Sequence, residues 1–146
     1  MEKYFNHISI VIGIIGGFFA SFFGGWDILL KTILFLAIMD YVTGWIKGIY
    51  EKNLSSEVGF RGILKKIVMF IIIATSYHIQ TLLSNSIPVR EVVIMFYIAN
   101  EGLSLLENAA IFIPIPERLK DILLQLRDKT INKEDEEDKR KSEKEK

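Results

Sequence analysis

Two carboxylates stand inside a stretch of the sequence that is otherwise apolar. The segment YIANEGLSLLENAA, residues 97–110, carries Glu101 and Glu107 within an apolar run over residues 92–112. A charged carboxylate facing lipid costs several kcal/mol or more. At helical spacing the polar residues of this run lie along one side of the helix, here called the polar stripe: Asn100, Glu101, Ser104, Glu107 and Asn108. The stripe must therefore face protein, water or the membrane surface.

Two interpretations of the polar stripe remain open at this level. The other apolar segments of the chain offer few polar partners, which favours an oligomer in which stripes meet, or a water-filled lumen that they line. The alternative is a helix lying in the membrane interface with its polar face toward the headgroups. We predict the first, in which the stripe lines a pore or joins neighbouring chains.

A further acid, Asp40, precedes Thr43 and Gly44 in the sequence MDYVTG near the end of an apolar segment. An acid inside a span usually marks function, although it can also be a satisfied carboxyl at a bent, water-accessible helix end. The nearby Thr43 hydroxyl is a candidate partner. We predict that these three residues form a motif at the end of a span.

Enzyme signals are poor. His78 has no second histidine or carboxylate at metal-ligand spacing, so it is better explained as a packing or interfacial residue than as a ligand. The chain has no cysteine, no glycine-rich phosphate loop and no nucleophile–base pair. We expect no catalytic residue, no metal site and no cofactor. The net charge of zero gives no reason to expect nucleic acid as a partner.

Four apolar segments must position these residues, at 8–25, 28–46, 67–83 and 92–112. The first and third are apolar nearly all round, which is typical of membrane helices. The predicted fold is an all-α polytopic membrane protein. It has three or four spans, because the sequence does not decide whether the first segment crosses the membrane. That segment resembles half of a helical hairpin, turned at residues 24–27, more than a cleaved signal peptide.

Small residues recur every four positions in the first segment. They form two adjacent small-residue rows: Gly13, Gly17, Ser21 and Gly25, beside Gly16, Ala20 and Gly24. Such rows make a narrow helix face on which another backbone approaches closely. The partner is either the second segment of the same chain or another copy of the chain, and the spacing alone does not decide between them.

Basic residues set the predicted orientation. The connection over residues 47–66 carries five of them: Lys47, Lys52, Arg61, Lys65 and Lys66. The positive-inside rule puts this connection in the cytoplasm. The C-terminus then lies in the cytoplasm as well, whether or not the first segment crosses the membrane.

The last part of the chain changes character. Residues 117–146 hold ten of the 18 basic and ten of the 18 acidic side chains. We predict a membrane domain at 1–113, a short amphipathic helix beside the membrane at 114–130 and a disordered charged tail at 131–146. The apolar face of that helix is Leu119, Ile122, Leu123 and Leu126. The tail is a solvated segment or, more specifically, one that tunes membrane association.

Two stretches carry a family resemblance. DYVTGWIKGIYEKNLSSEVGFRGILKK (40–66) and FYIANEGLSLLENAAIFIPIPERLKDIL (96–123) resemble the phage-lysis and toxin-secretion holins of Gram-positive bacteria, which include clostridial toxin-release holins. The likeness covers about residues 24–126, although such proteins are often drawn with three spans. It implies a protein that oligomerises in the bacterial cytoplasmic membrane and opens lesions. A cytoplasmic endolysin, or a large toxin, then crosses; self and lipid are the direct partners.

The motif positions transferred by this resemblance are those already singled out, at the span end and in the polar stripe. A small multi-span ion channel or carrier subunit, with Asp40 and Glu101 as ion sites, is the alternative function. A membrane adaptor acting through its cytoplasmic loop and tail is a third.

Overall fold

A computed structural model of the chain describes residues 2–129, with the side chains of residues 9–11, 13–14, 16–18 and 20–129. These residues form five helices and no strand: α1 (Glu2–Phe23), α2 (Ile28–Tyr50), α3 (Ser56–Leu82), α4 (Val89–Ala109) and α5 (117–129). The predicted all-helical fold is confirmed for this part of the chain. The charged tail at 131–146 lies outside the described residues.

Local sequence signals explain where the helices begin. Gly24 and Gly25 have φ of 79° and 114°, a backbone region that favours glycine, and they make the turn after α1. Asp27 caps α2, because its side chain accepts a hydrogen bond of 2.9 Å from the backbone N–H of Leu30. Ser55 caps α3 in the same way. The predicted turn at residues 24–27 is therefore confirmed.

Helix α4 packs between α2 and α3. Its most extensive contact is with α2 and its next is with α3, whereas α2 and α3 touch each other little. The buried apolar residues come from these three helices at spacings of three to five residues: Leu30, Ile33, Ala37, Met69, Ile73, Ile94 and Ala99. Such spacing puts each set on one face of its helix. The core is small and is centred on α4.

The outer surface of the bundle is apolar. Phe35 on α2 and Ile71 on α3 are each 58% exposed, and many other large apolar side chains point outward beside them. Soluble monomers rarely expose apolar patches of this extent. A small core inside an apolar exterior is the arrangement expected where lipid, and not water, surrounds the helices.

The predicted count of three or four spans is not confirmed. Among the described residues, α2 is the one helix both long and apolar enough to cross a membrane by length and composition. Helix α1 contributes a shorter apolar stretch, Ser9–Phe23. Helix α4 has the required length, but Arg90, Glu91, Glu101 and Glu107 make it more polar than a simple span.

Helices α2 and α3 diverge on the side away from α4 and leave an open apolar cleft of about 1080 Å³. Its lining includes Ile38 and Tyr41 from α2, Ile67 and Phe70 from α3, and Trp26 from the turn after α1. Helix α1 makes a limited contact with α3, similar in extent to that between α2 and α3. The chain turns at residues 24–27, but extensive packing of α1 against α2, as in the predicted hairpin, is not found over the described residues.

Helix α5 contacts α4. A Cβ at Gly102 would lie 3.1 Å from Leu123 Cδ1, so the absence of a side chain at Gly102 lets the leucine fit closely against α4. Leu119 and Ile122, on the predicted apolar face of α5, are exposed. Helix α5 is thus attached to the bundle through Leu123, with part of its apolar face still uncovered.

Candidate functional site

The core faces of three helices continue into polar residues at the same end of the bundle. On α2, Asp40 follows the buried Ala37 by three residues. On α3, Lys66 precedes the buried Met69 by three. On α4, Glu101 follows the buried Ile94 by seven. Because these spacings keep a residue on one helix face, all three side chains point toward the bundle interior.

These three charged side chains meet one another, and the uncharged Asn108 joins them. We call the four residues the lysine cluster: Asp40, Lys66, Glu101 and Asn108. Lys66 Nζ lies 2.8 Å from Asp40 Oδ2 and also donates to Glu101 Oε2. The side chains of Asp40, Lys66 and Glu101 are only 14–16% exposed. A single ammonium group therefore joins carboxylates from two other helices.

Asn108 completes the lysine cluster from the end of α4. Its Nδ2 donates to Asp40 Oδ1 at 3.0 Å and lies 3.5 Å from the Thr43 hydroxyl oxygen. The Thr43 hydroxyl in turn donates to the carbonyl of Met39 at 2.9 Å. A Cβ at Gly44 would lie 3.6 Å from Asn108 Nδ2, so Gly44 brings the α2 backbone close to this amide. The span-end motif and the polar stripe are thus in direct contact.

The charges of the lysine cluster do not balance. Two carboxylates face one ammonium group, and Asn108 adds a neutral donor. Burying an ion is costly unless opposite charges and hydrogen bonds compensate for the lost water. Removing Lys66 would leave two carboxylates close together, with the Asn108 amide bonded to Asp40 alone. The cluster is therefore sensitive to a change of charge.

The residues of the polar stripe have different surroundings. Glu101 and Asn108 point into the lysine cluster, Asn100 and Ser104 are partly buried, and Glu107 is exposed. The expectation that the chain itself offers few polar partners is wrong for Glu101 and Asn108, because Asp40 and Lys66 supply them. Whether the stripe lines a pore stays a prediction.

The predicted basic connection over residues 47–66 is mostly helical, because α2 runs to Tyr50 and α3 begins at Ser56, and its basic side chains have different surroundings. Lys52 and Lys65 are exposed, and Lys47 is partly buried in the last turn of α2. Arg61 pairs with Glu57 at 2.5 Å, both side chains being more than 70% exposed. Lys66 is the exception, since it turns into the bundle. Sequence reasoning counted it with the connection and missed its ion pairs.

The small-residue rows of α1 are largely uncovered. A Cβ at Gly13, Gly16, Gly17 or Gly25 would meet no atom within 4 Å outside the neighbouring backbone. Ala20 is partly buried and accepts the backbone N–H of Gly25 at 2.8 Å; Ser21 is exposed. Packing of these rows against α2 is not found over the described residues. Gly24 lies close to the Tyr77 ring and to Arg90 Nε, and the Gly16 carbonyl accepts a hydrogen bond from Trp26 Nε1 at 3.2 Å.

A second buried charge, Arg90 at the start of α4, was not singled out from the sequence. Its side chain is 3% exposed; Nε donates to the Phe23 carbonyl at 2.5 Å and Nη1 to Asp27 Oδ2 at 2.6 Å. Its backbone N–H donates to Gln80 Oε1 at 2.7 Å. We call these residues, Arg90, Asp27, Phe23 and Gln80, the arginine cluster. The sequence carried two signals for this contact, an aspartate at a helix-capping position, Asp27, and an arginine in the first turn of a later apolar helix.

The hydrogen bond from Arg90 holds the pKa of Asp27 below its ordinary value of 3.8, against the opposing effect of partial burial. Asp27 therefore stays ionised at neutral pH while it caps α2. The arginine cluster joins the end of α1, the start of α2, the end of α3 and the start of α4. It lies at the end of the bundle opposite the lysine cluster.

Comparison with known proteins identifies the family. A profile described as the bacteriophage holin family matches residues 17–128. An uncharacterized 14.9 kDa protein of Clostridium perfringens is 44% identical over 131 residues, which cover 88% of this chain and 99% of that protein. A protein described as "Probable holin" from Bacillus phage phi105 is 36% identical over 95 residues, 64% of this chain and 70% of the relative.

A relative from Listeria innocua, also uncharacterized, is 37% identical over 135 residues, 90% of this chain and 96% of its own length. No solved structure matches the chain. The profile match includes α2, α3 and α4 and therefore every residue of the lysine cluster. The chain belongs to the bacteriophage holin family.

Proposed function

We propose that the chain is a holin that accumulates in the bacterial cytoplasmic membrane, oligomerises and opens lesions through which an endolysin or a large toxin crosses. The single observation that carries the proposal is a charged cluster enclosed by a bundle with an apolar exterior. Such a bundle can stay in lipid without exposing its charges. The same charges give it a polar face that several chains together could turn toward water.

In this proposal the compact bundle is the form that accumulates. Glu101 and Asn108 are then held by Asp40 and Lys66 within one chain. Lesion formation exchanges these contacts for water and for neighbouring copies, and the polar stripe becomes the lining. The uncovered small-residue rows of α1 offer a narrow face for contact between copies. This role needs no catalytic residue.

We further propose a multi-pass topology with a cytoplasmic C-terminus. Lys52 lies in the connection between α2 and α3, and Arg61 and Lys65 lie in the first turns of α3; all three are exposed, and the positive-inside rule applies to basic residues near the end of a span. Because the chain lacks cysteine, single cysteines at position 2 and at the exposed position 28 can report their side of the membrane to an impermeant thiol reagent. Labelling of position 28 only from the cytoplasm would contradict this topology.

The test of the stripe is Glu101→Leu combined with Glu107→Leu. We expect the double variant to insert as well as the wild type or better, because two carboxylates leave an apolar helix while Lys66 keeps its pair with Asp40. Lysis and release of a cytoplasmic enzyme after induction should be abolished. The matched control is Glu51→Leu with Glu57→Leu, two exposed acids outside the stripe, which should lyse as the wild type does. Unchanged lysis timing in the stripe variant would refute the lining role.

An ion channel or carrier subunit is the second candidate, favoured by the convergence of Asp40 and Glu101 on one point. A carrier would give pH-linked ion flux that Asp40→Asn or Glu101→Gln removes, without release of cytoplasmic protein. In this bundle Lys66 occupies the position between the two carboxylates, where a transported cation would have to bind. Release of cytoplasmic protein after induction distinguishes the two functions, because a holin causes it and an ion carrier does not.

A further inference from the structure

Lys66 is the side chain through which α3 is ion-paired to both other core helices. Its ammonium group contacts Asp40 on α2 and Glu101 on α4, and each partner is about as buried as the lysine itself. The neighbouring Lys65 is exposed. Two adjacent lysines of one helix thus have opposite surroundings, and only one of them can act on the polar stripe.

Apolar packing between α3 and α2 at this level consists of aromatic rings of α2 that lie on glycines of α3. A Cβ at Gly59 would lie 3.4 Å from the Trp45 ring, and one at Gly62 would lie 3.5 Å from the Tyr41 ring. The two helices otherwise touch little around the open cleft, whose lining includes Lys66. The Lys66 ion pairs therefore add an electrostatic attraction to these contacts at this end of the bundle. Ion pairs of this kind depend on a single charge, whereas a packed core depends on many side chains.

We propose that Lys66 is a positioning residue that holds Glu101 inside the closed bundle, and that release of the Lys66–Glu101 pair is the step that frees the α4 face for lesion formation. This inference rests on the proposed function and adds to it a contact within the chain that delays lesion formation. When Lys66 leaves, Asp40 and Glu101 remain close together without a cation. Their repulsion and their need for water both favour an open arrangement.

The test compares Lys66→Met and Lys66→Gln with Lys66→Arg and with Lys65→Met. Each is expressed at a matched amount in the membrane, and the time from induction to release of a cytoplasmic enzyme is recorded. We expect lysis with Lys66→Met and Lys66→Gln to begin at least about twofold sooner than with the wild type, because an unpaired buried charge is strongly destabilising. Lys66→Arg, which keeps the charge, should restore most of the delay, and Lys65→Met should leave it unchanged.

A merely structural lysine would lower the amount of protein in the membrane without advancing lysis at matched amounts. Early lysis must also require the polar stripe. Cells that express the triple variant Lys66→Met, Glu101→Leu and Glu107→Leu should therefore not lyse. Wild-type or later timing in both neutral variants would overturn the inference. Failure of both to accumulate would overturn it too, because a releasable contact cannot be required for insertion. If the wild type itself releases no cytoplasmic protein, the proposed function fails instead.

Discussion

Replacing Arg90 by methionine should destabilise the bundle far more than the same replacement at Arg61. Both arginines make short ion pairs, at 2.6 Å to Asp27 and at 2.5 Å to Glu57. They differ in burial, since the Arg90 side chain is 3% exposed and that of Arg61 is 71% exposed. The comparison therefore varies the surroundings of an ion pair while the chemistry of the change stays constant.

The magnitude follows from the bonds that are lost. Arg90→Met removes two charge-assisted hydrogen bonds, to the Phe23 carbonyl and to the Asp27 carboxylate. Hydrogen bonds to charged groups contribute about 1.5–3 kcal/mol each. Asp27 is 43% exposed and recovers water, and methionine buries apolar surface in place of the guanidinium, so the net loss falls to about 2–4 kcal/mol. Arg61→Met should cost only about 0.3–0.5 kcal/mol, as is usual for an exposed helical pair.

The assay is reversible unfolding of the detergent-solubilised chain by titration with a denaturing detergent, followed by circular dichroism. Arg90→Lys keeps the charge but not the forked geometry, so its free energy of unfolding should lie between those of the wild type and Arg90→Met. Equal losses for Arg90→Met and Arg61→Met would refute the reasoning, since burial would then have no bearing on the value of the ion pair.

Two further predictions concern the turn after α1. A Cβ at Gly24 would lie 2.6 Å from the Tyr77 ring, whereas one at Gly25 would meet nothing within 4 Å. Both have positive φ, so Gly25→Ala should cost about 1–2 kcal/mol of strain and Gly24→Ala clearly more; equal losses in the same titration would argue against the ring contact. Because Arg90 lowers the pKa of Asp27 below 3.8, this ion pair stabilises the fold fully above that value and is lost as pH falls through the lowered pKa. Asp27→Asn should reduce the acid-side loss of stability, and identical pH profiles for the two proteins would contradict the assignment.

Much of the fold follows from periodicity in the sequence. Apolar segments separated by glycine and polar residues predicted the helices, and the turn at residues 24–27 was located correctly. Spacing also brought Glu101 and Asn108 to one helix face, where the structure has them seven residues apart in a single cluster. These features depend on neighbours along one helix, which a single sequence records directly.

The missed features depend on pairs far apart in the chain. Lys66 pairs with Glu101, 35 residues away, and Arg90 with Asp27, 63 residues away. Helical periodicity says which side a residue lies on, but not which helix lies opposite. Because Lys66 is charged, the sequence pattern groups it with the basic connection. Its position three residues before the buried Met69 nevertheless puts it on the core face of α3.

The hydrogen bond between Gln80 and the Arg90 backbone gives the bundle a mechanical asymmetry. It fastens α3 to α4 at one end, while Lys66 lies 14 residues earlier on α3, about 21 Å along the axis at 1.5 Å per residue. With Gln80 as the fulcrum, a tilt of α3 by only about 10° would carry the Lys66 end through about 4 Å, which exceeds the reach of a hydrogen bond. Leverage of this kind means that a slight rotation of a rigid helix separates charges at its far end, while core residues nearer Gln80, such as Ser76 and Ile73, move less.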